Sequence, residues 1–524
     1  MHSKAPHRVV NPWLIAMVVM LATFMEVLDT SVANVALPHI AGNLSATVDE
    51  ATWVLTSYLV ANAVVLPLGG YLSSLFGRKR FYMTCVGIFT LSSLLCGLAP
   101  SLPWLIFFRI MQGVGGGALQ PTSQAILIET FPHAKRGAAM AFYGMGVVLA
   151  PIVGPVLGGW ITDNYSWHWI FLINIPVGIL SLALTYRLVF DPPTLKRVSL
   201  KEGFQVDYLG IGVLTLGLAA LEIVLDEGQR RDWFSSSLIM VSAVVAVVAL
   251  VGVVFYLLKK ENPIIDLRLL KDRNFAVSTV MLFVLGFVLY GSLALLPIFL
   301  QTLLGYTASL SGWILSPGGM VILVMMPVVA VLLRHSDTRF LIATGFITCG
   351  LGLLWMSKFT LDVDFTTAMY SRMVQSLGLA FLFVPMNVTA FQNITPDKTS
   401  YASGMLNLVR NIGGSTGIAL VSTILSRRSQ VHQANLVGNL TPASPAYQSL
   451  LDRASRLLVQ HGASAPDAAH QAQGLAYGTL LRQANMMAFA DTFWIMGVLC
   501  ISLLPLIFFM RKTHAGRGPL PAEH

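Results

Sequence analysis

Two acidic residues stand three positions apart inside an apolar stretch near the beginning of the chain. Glu26 and Asp29 lie within residues 13–37, and this spacing places both side chains on one face of a helix. Two carboxyl groups so close together in a medium of low dielectric constant should not both ionise readily. A carboxyl group that gains and loses a proton is what a proton-driven carrier needs. Hydrogen bonding to a neighbouring helix is the structural alternative for each of them.

Other charged residues also interrupt apolar stretches, where each charge costs at least about 2.5–3.5 kcal/mol. Arg109 stays charged, so it must face a carboxylate, backbone carbonyl groups or water. It either forms a structural pair or tunes a proton-carrying acid. Glu222 is a third candidate proton site, although its place near the end of a peripheral stretch favours a structural role. The candidate proton-coupling residues are Asp29, Glu26, Arg109 and Glu222.

Polar side chains in other apolar stretches provide possible contacts for a substrate. We expect the substrate to bind in a central cavity between two helix bundles, where these groups lie among apolar walls. The candidate substrate-binding residues are Asn34, Gln112, Gln375, Asn387, Asn407 and Arg410.

Motifs for nucleotide or metal chemistry are absent from the chain. It has no G-x-x-x-x-G-K-[ST] sequence to hold ATP phosphates and no H-E-x-x-H pair. Its four cysteines lie in apolar stretches without the spacing of metal ligands. We therefore expect neither an enzyme nor a bound cofactor or metal, and a proton gradient would supply the energy.

Composition indicates which elements position these residues. Of the 524 residues, 55% are hydrophobic and 11% charged, whereas soluble domains average roughly a quarter charged residues. This excludes an ordinary cytosolic enzyme and a disordered chain. Fourteen apolar segments are long enough to cross a membrane as helices, which predicts an all-α polytopic membrane protein. They cover residues 13–37, 50–75, 81–99, 103–128, 138–162, 168–189, 206–225, 235–258, 274–300, 311–333, 339–357, 366–391, 401–425 and 489–510.

The basic residues predict the orientation of these helices. Most of the 33 lysines and arginines fall on the side that holds both termini, so this side is expected to be cytoplasmic. The net charge of +9 does not indicate nucleic-acid binding, because the basic residues lie in short clusters between apolar runs. Three arginines remain inside the segments: Arg109, Arg372 and Arg410.

An internal repeat predicts how the segments are grouped. Arg109, Gln112 and Gly115 in the fourth segment are repeated as Arg372, Gln375 and Gly378 in the twelfth. Duplicated bundles that meet at a midplane site are typical of secondary transporters. We therefore expect two pseudo-symmetric six-helix bundles with two inserted helices between them. The expected divisions are a first bundle at 1–195, inserted helices at 206–258, a cytoplasmic interfacial helix at 259–273, a second bundle at 274–510 and a cytoplasmic tail at 511–524.

Residues 426–488 form a long polar stretch between the last two segments, on the non-cytoplasmic side. The sequence LLDRASRLL at 450–458 has helical periodicity, which predicts one or two amphipathic helices. A loop of this length with its own helical pattern is usually functional, as a lid or a docking surface. A plain linker is the alternative.

Glycine and proline patterns predict two mechanical elements. The fifth segment contains a G-P-x-x-G-G sequence, which predicts a kinked, closely packed hinge helix. The loop after the second segment is bounded by glycines and followed by basic residues, which predicts a tight turn with a cationic cap. The candidate gating and hinge residues are Gly154, Pro155, Gly158, Gly159, Gly70, Gly77 and Arg78.

These motifs together resemble the major facilitator superfamily, in its fourteen-span drug:proton antiporter branch of the EmrB type. The first-span motif of that branch resembles LDTSVANVALP at 28–38, and its span-four motif resembles the sequence around Arg109. Its span-five antiporter motif resembles the sequence from Gly154 to Gly159. The stretch 221–234 and the long loop resemble the EmrB type in particular. Ser74 stands where the superfamily usually places an acidic residue, and Glu222 stands where EmrB-type chains favour glutamine.

The resemblance implies proton-driven export of hydrophobic or amphiphilic toxic compounds from the bacterial inner membrane by alternating access. It also implies two protein partners, a periplasmic adaptor (membrane fusion) protein of the EmrA type and an outer-membrane channel of the TolC type. The loop at 426–488 is then a candidate docking element for the adaptor. The alternatives are a proton symporter, an exporter of one metabolite such as a fatty acid, and a non-transporting scaffold or sensor.

Overall fold

The computed structural model describes residues 11–191, 207–260, 263–438 and 440–511. These residues form α-helices joined by short connections, and fourteen candidate spans are long and apolar enough to cross a membrane. The predicted all-α polytopic fold is therefore confirmed. The helices are α1 (Pro12–Asn43), α2 (Val48–Phe76), α3 (Arg78–Gly97), α4 (Leu102–Gly116), α5 (Leu119–Thr130), α6 (Arg136–Asn164), α7 (Trp169–Leu172), α8 (Asn174–Leu188), α9 (Tyr208–Glu227), α10 (Ser237–Lys259), α11 (Arg273–Thr302), α12 (Ala308–Leu332), α13 (Thr338–Met356), α14 (Phe365–Ala390), α15 (Thr399–Val437), α16 (Pro445–Gln460) and α17 (Ala465–Ser502).

The fourth span is broken into two helices, α4 and α5, which the sequence had predicted as one. The break follows three consecutive glycines, Gly115 to Gly117, which favour the helix poorly. A side chain at Gly117 would collide with the backbone of Asn62 in α2. The small residues therefore let α2 approach the break closely.

The predicted loop at 426–488 is largely helical. α15 continues to Val437 and α17 begins at Ala465, so both helices extend beyond the predicted spans. Between them, α16 contains the periodic sequence at 450–458, and none of its residues is buried. The expected amphipathic helix is confirmed. The non-helical chain on either side of it is much shorter than predicted, because α15 and α17 extend into the loop.

The interfacial helix predicted at 259–273 is wrong. α10 ends at Lys259, and the described residues that follow form only a short 3-10 turn at Leu267–Lys271. Pro263 disfavours continuation of the helix, and the next two residues, Ile264 and Ile265, are buried in the protein core. Most of the predicted tail, residues 512–524, lies outside the described residues.

The helices pack as two halves of six spans with an inserted pair. In the first half, α1 packs against α6 and α8, and α4 packs against α2 and α3. In the second half, α11 packs against α15, and α14 packs against α12 and α13. The inserted helices α9 and α10 pack against each other, and α9 also contacts α2 and α15. The halves meet where α6 contacts α12 and α14, and where α15 contacts α2 and α5.

Close approach within the second half depends on glycines of α15. Side chains at Gly413 and Gly417 would collide with the backbone of Phe283 and Phe287 in α11. These glycines therefore let α15 and α11 approach closely. We call the end of the bundle near residues 11 and 511 the terminal face, and the opposite end, where α16 lies, the distal face.

Candidate functional site

Asp29 lies at the centre of a buried polar cluster inside the first half. Its carboxylate accepts hydrogen bonds from Arg109 Nη1 at 2.5 Å, Gln112 Nε2 at 2.9 Å and Asn174 Nδ2 at 2.7 Å. Only 2% of Asp29 is exposed and Arg109 is fully buried. Two helices besides α1, namely α4 and α8, thus hold the carboxylate, and its charge is compensated by a cation.

Arg109 is held in place by more than the carboxylate. Its Nε donates to the carbonyl oxygen of Val54 at 3.0 Å, and its Nη1 also donates to Gln112 Oε1 at 2.8 Å. The guanidinium carbon lies 4.2 Å from the ring centroid of Tyr58, within the range of a cation–π interaction. The arginine is therefore packed as a fixed counter-ion of Asp29.

Glu26 has a different environment, one helical turn away. Its Oε1 accepts from Tyr58 Oη and Asn62 Nδ2, both at 3.0 Å, and its Oε2 accepts from Gln120 Nε2 at 2.8 Å. Within the described ranges, no basic side chain forms an ion pair with it, and it is 3% exposed. The two acids that the sequence brought together therefore differ: Asp29 has a cation beside it, and Glu26 has neutral donors.

Gln120 connects Glu26 to the second half. While its Nε2 donates to Glu26, its Oε1 accepts from Arg410 Nη2 of α15 at 2.5 Å. Because a guanidinium group can only donate, the amide oxygen must face Arg410 and the amide nitrogen must face the carboxylate. Glu26, Gln120 and Arg410 thus form a chain of oriented hydrogen bonds from α1 through α5 to α15.

A second bridge between the halves lies one helical turn along α5. Gln124 donates to Asn387 Oδ1 of α14 at 2.6 Å, and its Oε1 accepts from Ser403 Oγ and Asn407 Nδ2 of α15, both at 2.7 Å. Sequence reasoning missed both glutamines. The available signal was their spacing of four residues on one face of an otherwise apolar segment.

Glu222 is buried on the inserted helix α9, away from this chain of bonds. Its Oε1 accepts from Ser415 Oγ of α15 at 2.6 Å, and only 5% of the residue is exposed. Asp226, one turn later, accepts a hydrogen bond from Thr56 of α2. These two acids attach the inserted pair to one helix from each half.

The six predicted substrate-binding residues occupy three different environments. Asn387, Asn407 and Arg410 lie where the halves meet, in the networks of Gln124 and Gln120. Gln112 and Gln375 are fully buried within their own halves, each bonded to the arginine three residues before it. Asn34 is exposed on α1. The structure thus brings three of the six together.

The glycine and proline motif of the fifth span faces α1. A side chain at Gly154 would collide with Ser31, and one at Gly158 would pack tightly against Val32, whereas Gly159 is only loosely packed. Pro155 lacks the N–H that would bond the carbonyl group of Pro151, and Ser31 Oγ donates to that carbonyl oxygen at 3.3 Å. α6 continues through the motif without interruption, from Arg136 to Asn164.

The predicted turn after α2 joins the halves at the terminal face. Gly77 has a φ of +83°, a conformation that favours glycine. A side chain at Gly70 would lie 2.9 Å from the backbone of Ser400 in α15. Arg78 forms a buried ion pair with Glu129 and donates to the carbonyl oxygen of Pro396 at 3.4 Å. Arg78, the first residue of the cationic cap, is therefore buried in contacts with both halves.

Comparisons with known proteins agree with this architecture. Residues 19–418 match the family model of the Major Facilitator Superfamily. The fatty acid resistance protein FarB of Neisseria gonorrhoeae is 36% identical over 500 residues, covering 95% of this chain and 96% of the relative. The multidrug export protein EmrB of Escherichia coli (strain K12) is 34% identical over 499 residues, covering 95% of each chain.

A solved structure supports the same fold. The proton:xylose symporter XylE superposes with a TM-score of 0.60 at 14% identity, covering 96% of this chain and 97% of that one. The family predicted from the sequence motifs is confirmed by the match over residues 19–418 and by relatives that are similar along nearly their whole length. This fourteen-span chain therefore belongs to the major facilitator superfamily.

Proposed function

We propose that the chain is a proton-driven multidrug efflux antiporter of the bacterial inner membrane, with both termini in the cytoplasm. The relative named a multidrug export protein supports the export of drugs. The distribution of basic residues supports the orientation. The coupling between protons and the conformation of the protein is argued from the hydrogen bonds of the site.

The observation that carries the proposal is the chain from Glu26 through Gln120 to Arg410. When Glu26 is ionised, its Oε2 accepts from the amide nitrogen of Gln120, and the amide oxygen accepts from Arg410. A proton on Oε2 turns this acceptor into a donor that faces the amide nitrogen. The amide must then rotate to offer its oxygen to Glu26, which turns its nitrogen toward Arg410. Protonation thus replaces an attractive link between the halves by a contact between two donors.

Asp29 has a second role in this proposal. Its ion pair with Arg109 links α1 to α4, and α1 is also the helix that carries Glu26. A proton on Asp29 would leave Arg109 buried without its counter-ion. Glu26 therefore acts between the halves, while Asp29 acts within the first half.

Drug binding is proposed at the interface between the halves. Asn387, Asn407 and Arg410 provide the polar contacts, and the ring of Phe383 lies 5.9 Å from the Arg410 guanidinium carbon. A drug that replaces the interhalf hydrogen bonds would weaken the same contacts that a proton weakens. This competition between drug and proton is the basis for exchanging one for the other.

The partners are proposed from the family resemblance and from the distal face. α16 has no buried residue, and its exposed apolar side chains include Leu457 and Val459. We place the periplasmic adaptor on this helix, with a channel of the TolC type beyond it. The relative named for fatty acid resistance favours an acidic amphiphile as a second class of substrate.

Everted membrane vesicles with a pH-sensitive dye test the proposal. Addition of a drug should dissipate an imposed proton gradient in the wild type, but not in Glu26→Gln or Asp29→Asn, at equal amounts of inserted protein. Asp452→Asn, on the exposed surface of α16, is the matched control and should behave as the wild type. Drug-dependent proton movement in Glu26→Gln would contradict the proposal, and its absence in the wild type would favour a scaffold or sensor.

A further inference from the structure

The internal repeat is incomplete at one functionally important position. The interval of 263 residues that separates Arg109 from Arg372 also separates Asp29 from Ser292. The second half keeps the arginine but replaces its acid by a serine. Arg372 Nη1 donates to Ser292 Oγ at 3.1 Å, in the place where Arg109 donates to a carboxylate.

Arg372 is consequently a buried cation without a counter-ion. It is 2% exposed, and no carboxylate of the described residues forms an ion pair with it. A guanidinium group does not lose its proton in proteins, so burial cannot be relieved by neutralisation. A buried charge is stabilised by a partner of opposite sign as well as by hydrogen bonds. The described side chains do not supply this partner.

Unused hydrogen-bond donors surround the same charge. Arg372 Nε, Gln375 Nε2 and Ser376 Oγ are buried and have no hydrogen-bond partner among the described residues. Gly318 of α12 faces two of them: a side chain there would begin 2.6 Å from Ser376 Oγ and 3.5 Å from Arg372 Nε. These unpaired donors and one positive charge thus lie together on one face of α14, two of them beside backbone that carries no side chain.

We propose that the second half binds a single negative charge at this cluster, with Arg372, Gln375 and Ser376 as its ligands. The guanidinium supplies the compensating charge, and the amide and the hydroxyl supply neutral donors. Two sources have this chemistry: a free chloride ion, and the carboxylate of an amphiphilic substrate. The second source rests on the proposed export function, whereas the first does not.

Thermal unfolding of the purified full-length protein in nanodiscs tests the site. Sodium chloride and sodium decanoate are titrated separately, with decyl maltoside as the neutral control of equal chain length. We expect a saturable rise of several degrees in the unfolding midpoint with at least one of the two anions. A response to chloride identifies a free ion, and a response to decanoate alone identifies a substrate headgroup. No saturable response to either anion would overturn the proposal.

Ser292→Asp provides the decisive variant, because it restores the acid that the first half has at Asp29. It should raise the midpoint without added anion and abolish the anion response. Ser292→Asn has the same shape without the charge and should keep the response. A Ser292→Asp protein that still responds like the wild type would overturn the proposal. Because the readout is binding, failure here leaves the vesicle assay of proton exchange unaffected.

Discussion

Replacing Gln120 by leucine should uncouple the conformation of the protein from protons. Leucine has nearly the same volume as glutamine but offers neither the donor that Glu26 accepts nor the acceptor that Arg410 uses. The carboxylate keeps its bonds to Tyr58 and Asn62. The variant therefore removes the link between the halves while leaving the proposed proton acceptor in place.

The size of the change in conformational free energy follows from the loss of two hydrogen bonds to charged groups. Each contributes about 1.5–3 kcal/mol, so the conformation described here should lose about 3–6 kcal/mol relative to a conformation in which the link is already broken. Since 1.4 kcal/mol is a factor of ten, the ratio of the two populations should change by about 10²–10⁴. A change of this size is large enough to make the minor conformation the major one.

Distances between spin labels on the two halves measure this distribution. Cysteines introduced at Asp163 and Thr302, both exposed near the distal face, would carry the labels, since the four native cysteines are buried. In the wild type, acidification should shift the distances toward a second population. In Gln120→Leu, that population should dominate at every pH between 5.5 and 8.

Gln124→Leu is the matched control, because it also removes bonds between α5 and the second half but none to Glu26. It should shift the populations and still respond to pH. If Gln120→Leu keeps the pH response of the wild type, the amide does not transmit the proton, and the reasoning from its orientation is refuted.

Three further outcomes are expected. Asp29→Asn leaves Arg109 without its counter-ion and should cost about 3–5 kcal/mol of stability, measured by thermal unfolding in detergent; an unchanged midpoint would contradict the role of the pair. Gly413→Ala should cost about 1–3 kcal/mol by overpacking against α11, whereas Gly212→Ala, with open space around it, should be neutral or slightly stabilising. Deletion of residues 445–460 should abolish co-purification of the adaptor without impairing membrane insertion, and unaltered co-purification would exclude α16 as the docking element.

Much of the fold could be predicted from the sequence because the membrane requires it. A bilayer demands about 20 apolar residues per helix, and this rule alone separates fourteen spans. The rule does not indicate where a helix ends once it has left the membrane, so the extensions of α15 and α17 were missed. It also does not distinguish an interfacial helix from buried chain, which is why Ile264 and Ile265 were misplaced.

The candidate site could likewise be predicted only in part from the sequence. Asp29, Glu26 and Arg109 could be identified because an isolated charge in an apolar segment is expensive. Gln120 and Gln124 carry no charge, so placing them in an apolar segment costs little free energy. They therefore do not stand out in the sequence. Their importance arises only when α5 lies beside α15, which is a property of tertiary packing. Gln112 shows the same limit, since only the fold reveals that it binds Asp29.

The unbroken length of α15 has a mechanical consequence. The helix contains 39 residues, and about 40 Å of it separates Arg410 from Val437 at 1.5 Å per residue. A rigid rod pivoting by about 10° at Arg410 would carry its far end through about 7 Å. In the proposed mechanism, α15 would act as a lever that converts a short movement inside the membrane into a displacement outside it, and a protein seated on the distal face would then sense the protonation of Glu26.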